Sequence, residues 1–135
     1  MAKSRGRLLA DLLSADGSID SANVSNDVAS TITSTVTSNS TAQTVLVTFL
    51  KTAFRSAKYT IQIANSTDST YHVSELLLTH NGTTPQITEY GTIYTGAAVD
   101  AIFDADISGN DVRLLATPAS SDSLAYNVIL QTVSV

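Results

Sequence analysis

The stretch "YHVSELLLTHNGTTPQITEYGTIYTG", residues 71–96, decides the fold. Asn81 and Gly82 supply the positive backbone φ angles that a tight hairpin needs, and the residues on either side are strand-like. Pro85 belongs to the connection or to an edge strand, because it cannot donate a hydrogen bond to a ladder. The segment reads as a β-hairpin with its turn at Asn81 and Gly82.

The same period extends outward in both directions. "TVLVTFLKTAF" (44–54) alternates so that Val45, Val47 and Phe49 share one face. "AKYTIQIA" (57–64) places Tyr59, Ile61 and Ile63 inward and Lys58, Thr60 and Gln62 outward, and "NSTDST" (65–70) is a turn by composition. Downstream, "AIFDADIS" (101–108) and "DVRLLAT" (111–117) flank the turn "SGND" (108–111). After the loop "PASSDS" (118–123), "LAYNVILQTVSV" (124–135) sets Tyr126, Val128 and Leu130 on one face and Ile129 with Val133 on the other. Apolar residues on both faces suggest a central strand or one covered on both sides. About seven short strands, punctuated roughly every ten residues, predict an all-β fold: an antiparallel β-sandwich or jelly roll.

The first 43 residues have a different character. Leu8, Leu9, Leu12 and Leu13 are spaced to gather on one side of a helix, too short to be stable without a partner. Residues 14–43 are then rich in Ser, Thr, Asn and Asp, with strand character near Ile32–Val36. The predicted organisation is an N-terminal attachment arm and low-complexity linker over 1–43, extended and with room for one short helix, and a β-sandwich domain over 44–135.

Charge is unevenly placed. The chain of 135 residues carries a formal net charge of -5, yet Lys3, Arg5 and Arg7 fall within its first seven residues. From residue 60 onward Arg113 is the only Lys or Arg, against eight Asp and Glu, and such a surface repels phosphate. Direct nucleic-acid contact is therefore not expected. Lys3, Arg5 and Arg7, with Leu8, Leu9, Leu12 and Leu13, are instead read as an anchor: the cations meet an acidic surface and the leucines bury against it. The absence of cysteine excludes disulfides and thiolate chemistry. The run "RLLADLL" is broken by Asp11 and too short for a signal peptide, and no stretch approaches the roughly 20 apolar residues of a membrane span. A soluble protein without a membrane partner is expected.

Candidate chemistry is sparse. His72 and His80 would share a strand face on the order of 26 Å apart, at about 3.3 Å per residue, too far to hold one metal, and are read as surface or edge residues. "DGSID" (16–20) begins like a calcium loop, but Ser21 and Asp27 stand where that loop uses Gly and Glu. Asp104, Asp106 and Asp111 are read as solvated carboxylates. No G-x-S-x-G elbow, Gly-rich phosphate loop or H-E-x-x-H is present. No catalytic, metal or cofactor site is assigned, and an enzyme is not expected.

Four blocks carry a family resemblance: "FRSAKYTIQIANST" (54–67), the hairpin stretch 71–96, "FDADISGNDVRLLATPASS" (103–121) and "YNVILQTVSV" (126–135). Together they resemble a β-rich module recurring in structural proteins of tailed bacteriophages that infect cyanobacteria and marine bacteria. The start "MAKSRGRLLADLLSADGSI" (1–19) is similar to the N-termini of tail-fibre-like proteins of those phages. The resemblance implies a non-enzymatic virion component, a tail-fibre-like appendage or attachment protein anchored by its N-terminal arm; the alternative is a capsid decoration (cement) protein on the phage head. It further implies assembly in the host cytoplasm, tail, neck or capsid proteins as partners, and association of copies, as trimers in this family. The chain lacks the long repetitive shaft and receptor-binding tip of a full fibre, which favours a short fibre, whisker, adaptor or decoration protein.

Overall fold

The structure, a computed structural model, describes residues 29–135. Their eight strands are β1 (Ala29–Ser38), β2 (Thr44–Leu50), β3 (Phe54–Asn65), β4 (Thr70–His80), β5 (Pro85–Tyr94), β6 (Ala101–Ser108), β7 (Asp111–Pro118) and β8 (Leu124–Ser134). They form two antiparallel sheets, a five-stranded one in the order β1-β8-β3-β4-β5 and a three-stranded one in the order β2-β7-β6. Of the two expected architectures this is the sandwich: a jelly roll divides eight strands evenly, whereas here the meander β3-β4-β5 stays within one sheet.

The core follows the predicted alternation. Tyr59, Ile61 and Ile63 of β3 and Tyr126 and Leu130 of β8 are fully buried, and they face Phe49, Val112 and Leu114 of the smaller sheet. β8 lies between β1 and β3, the central place that its two apolar faces suggested.

β2 departs from strict alternation. A bulge between Val45 and Val47 inserts one residue, so Leu46 is buried beside Val47 and Phe49 while Val45 is 37% exposed. The extra residue reverses side-chain parity at that point.

The strand character expected near Ile32–Val36 is present, and it extends over residues 29–38 of the segment read as arm and linker. This segment is strand β1, paired with β8 from Ala29↔Val133 to Ser38↔Leu124. Its β-branched content suits a strand, and Ile32 and Val36 pack against the core while the Ser34 hydroxyl donates to the Leu46 carbonyl at 2.8 Å. The folded unit therefore begins at least fifteen residues before Thr44. The helix expected within the arm lies outside the described residues.

The hairpin is present, with a four-residue connection instead of a two-residue turn, since His80 pairs with Pro85. Gly82 has φ +100, whereas Asn81 has no positive φ and acts through its side chain. Its Oδ1 accepts from the backbone N–H of Thr83 and of Thr84, at 3.0 and 2.8 Å. Pro85 opens β5, which is an edge strand, as its missing donor requires.

Candidate functional site

β5 reaches past the cover of the narrower sheet, and its core-facing side carries polar groups that meet the buried face of β4. Ser74 pairs with Thr92, but a bulge between Glu75 and Leu76 on the ladder shifts the register, so that Glu89 pairs with Leu76. Tyr90 is the extra residue, and Glu89 and Thr92 come to the same side as Ser74. Glu89 accepts hydrogen bonds from the Ser74 and Thr92 hydroxyls, and His72 Nε2 lies 2.9 Å from Ser74 Oγ.

A second set of bonds closes this end of the sandwich. The backbone N–H of Asp100 donates to His72 Nδ1 at 3.3 Å. Asn65, at the end of β3, donates its amide to Asp100 at 3.0 Å and to Asp122 at 3.1 Å, while its Oδ1 accepts from the N–H groups of Thr67 and Asp68. One buried amide thus joins the β3–β4, β5–β6 and β7–β8 connections. Hydrogen bonds from Ser120 and Asn65 hold the Asp122 carboxyl below the usual range. Burial lowers the His72 pKa from its ordinary 6.5, against the opposing pull of Asp100 and Glu89.

The bond directions define the chemistry. Nδ1 accepts, so the proton of neutral His72 sits on Nε2 and is donated to Ser74, whose own proton goes to Glu89. In a serine hydrolase the imidazole instead accepts the serine proton. Ser74 is also wholly buried, so this Ser–His pair is a structural relay rather than an exposed nucleophile with its base.

Both histidines correct the surface expectation: His72 is 1% exposed and His80 4%. The eight-residue spacing on β4 gives them the same face, and that face turned out to be the inner one. His80 satisfies both nitrogens locally, with Nε2 2.8 Å from the Phe54 carbonyl and Nδ1 accepting from the Gly82 N–H at 3.0 Å. It ties the hairpin turn to the start of β3.

Of the remaining candidates, Asp106 forms a paired salt bridge with Arg113 across the β6–β7 ladder, and Asp104 accepts from the Ala105 N–H. No three His, Asp or Glu side chains among the described residues are grouped to hold a metal. The anchoring residues Lys3, Arg5, Arg7, Leu8, Leu9, Leu12 and Leu13, and the Asp16–Asp20 segment, lie outside the described residues. Sequence reasoning missed Asn65, Ser74, Glu89 and Asp100. Nothing local marks them, because their meeting depends on a bulge and on three separate loops.

The outer face of the five-stranded sheet is different in kind. It holds a depression of about 550 Å³ bordered by Lys58, Leu77, Thr79, Thr88 and Val133. Lys58 and Glu75 pair above it at 3.3 Å. Tyr90 and Lys58 together hold the Glu75 carboxyl below its ordinary pKa.

No protein-family model matches the chain, and no curated protein matches it. Among solved structures it is similar to the tailspike protein of Acinetobacter baumannii phage AM24, at 8% identity with a TM-score of 0.46, over 78% of this chain and 26% of that one. It is also similar to a tailspike protein of Acinetobacter baumannii bacteriophage Fri1, at 16% identity with a TM-score of 0.44, over 81% of this chain and 20% of that one. The chain thus spans about a quarter or less of the tailspikes it matches.

One expectation is corrected by this comparison. The Fri1 tailspike is described as a capsular polysaccharide depolymerase. The exclusion of enzymatic activity, which rested on missing sequence motifs, therefore does not stand. Catalytic groups gathered from several strands leave no contiguous signature, and fold by itself does not decide activity.

Proposed function

We propose that this chain is a tail-fibre-like component of a tailed phage virion, an appendage or attachment protein of a phage infecting cyanobacteria or marine bacteria. One observation carries the reading. The four sequence blocks that resemble the recurring phage module fall on β3, on the β4–β5 hairpin, on β6–β7 and on β8. The recurring module is thus a set of strands that share one core, as expected of a unit reused between proteins.

The N-terminal residues Lys3, Arg5 and Arg7, with Leu8, Leu9, Leu12 and Leu13, attach the domain to tail or neck proteins, and the acidic sandwich projects from the particle. Assembly takes place in the host cytoplasm. The test is to image purified virions carrying an electron-dense label at the C-terminus. Label confined to tail or neck is expected. Label spread over the head would replace this reading with that of a capsid decoration protein.

A further inference from the structure

The connection between β4 and β5 gathers more polar groups around one side chain than a turn requires. Asn81 Oδ1 accepts three hydrogen bonds, from the Thr83 N–H at 3.0 Å, the Thr83 hydroxyl at 2.9 Å and the Thr84 N–H at 2.8 Å. Fixed donors around a carbonyl oxygen polarise it, and they stabilise the oxyanion that forms when a nucleophile adds to its carbon. The next residue supplies that nucleophile. Asn81 is the one Asn of the sequence followed by Gly, and no atom beyond the two chain neighbours stands within 4 Å of where a Cβ of Gly82 would lie, so its backbone nitrogen is unhindered.

That nitrogen already faces a base. The Gly82 N–H donates to His80 Nδ1 at 3.0 Å, within the range for direct proton transfer. His80 Nε2 lies 2.8 Å from the Phe54 carbonyl, which can only accept, so the proton of the neutral ring sits on Nε2 and the Nδ1 lone pair points at Gly82. A nucleophile, a base in contact with it and a third group that orients the base make up an activated nucleophile. Packing holds the base in place, since His80 is 4% exposed. The N–H lies in the peptide plane, whereas the nitrogen bonds to carbon through the orbital perpendicular to that plane, so His80 and the Asn81 side chain act on it from different directions.

We propose that Asn81 is a self-modification site, at which the protein deamidates its own turn through a cyclic imide. The Gly82 nitrogen gives its proton to His80 Nδ1 and its electron pair to Asn81 Cγ, while the Cγ–Oδ1 π pair moves onto Oδ1 among the Thr83 and Thr84 donors. That pair returns as the Cγ–Nδ2 bond breaks, and Nδ2 takes the proton from His80 and leaves as ammonia. One water then opens the imide at either carbonyl, giving an aspartyl residue or an isoaspartyl linkage at position 81. Either product sets a negative charge at the turn, and the isoaspartyl form adds one methylene to the backbone of the β4–β5 connection.

The test incubates the full 135-residue chain at neutral pH and follows the peptide spanning Asn81 by mass spectrometry, with aspartyl and isoaspartyl products separated by chromatography. The same chain unfolded in guanidinium chloride is the reference, because Asn81 and Gly82 stay adjacent there while His80, Thr83 and Thr84 are no longer fixed. Conversion should be faster in the folded chain by on the order of a hundredfold, the lower end of what a positioned general base contributes. His80→Asn keeps a side-chain oxygen acceptor near the Nδ1 position but no basic nitrogen, and should remove most of that gain. Thr83→Val deletes the hydroxyl donor and should slow conversion about tenfold, the worth of one hydrogen bond. Circular dichroism confirms that each variant is folded, and the comparison of folded with unfolded wild type needs no variant. A folded wild type that converts no faster than the unfolded chain would overturn the proposal, as would unchanged rates in the folded variants.

Discussion

Asp100 donates its backbone N–H to Nδ1 of His72 across 3.3 Å, and this one bond sets the direction of the buried relay that runs through Ser74 to Glu89. Protonating Nδ1 would remove the acceptor and place a cation in a buried site. The folded state therefore prefers neutral His72, and its pKa is lowered from 6.5. In the window below pH 6.5 the unfolded chain takes up the proton first. This contribution to stability is complete above pH 6.5 and is lost as pH falls toward the depressed folded value. Thermal melts should show Tm falling from pH 7 to pH 5, with a shallower slope in His72→Gln. An unchanged slope would remove His72 as the cause.

Asn65 carries four hydrogen bonds from one buried side chain. Asn65→Ala should cost about 2 to 3 kcal/mol, because it leaves two carboxylates and two N–H groups without that partner. For a domain of this size the melt should shift by roughly 10 °C. Asn65→Asp sets a third carboxylate against Asp100 and Asp122, and its deficit at pH 7 should shrink on acidification. A deficit independent of pH would show that packing, not charge, is at issue.

Gly82 adopts φ +100 and has open space where a Cβ would stand, so substitution there meets backbone strain without a clash. Gly82→Ala should cost about 1 to 2 kcal/mol, and Gly82→Val more, because a β-branched residue tolerates positive φ least. Equal melting temperatures for the three proteins would count against the turn conformation.

The hydroxyls of Tyr59 and Tyr126 are buried with no protein hydrogen-bond partner, and burial raises both phenols, that of Tyr126 to about 12. Tyr59→Phe removes an unsatisfied polar group while keeping the ring. It should be neutral or stabilise by up to about 1 kcal/mol, measured by denaturant unfolding. A loss above that range would reveal a partner for the hydroxyl.

Deleting residues 1–15 tests the anchoring role of the N-terminal segment. The shortened chain should keep the sandwich's thermal transition and fail to enter particles. Normal incorporation would assign attachment to the folded domain instead.

The strands and their inward residues were readable wherever a two-residue period ran unbroken. Tyr59, Ile61 and Ile63, or Tyr126, Val128 and Leu130, must share a face in any extended chain, and the apolar face must be the buried one. Gly82 was readable because positive φ selects glycine. The bulges at Leu46 and Tyr90 were not, since they depend on the partner strand's register, and they decide that Leu46 rather than Val45 enters the core and that Glu89 meets Ser74. β1 was readable only near Ile32–Val36, for a related reason: the rest of its Ser- and Thr-rich sequence becomes a strand through ladder bonds to β8, a partner about ninety residues away. The inner placement of His72 and His80 likewise required knowing which face the smaller sheet covers. The sequence by itself determined the period, the turns and the all-β class, because these are properties of neighbouring residues. Only the tertiary structure decided the sheet partners and the buried polar relay, because each depends on groups far apart in the chain.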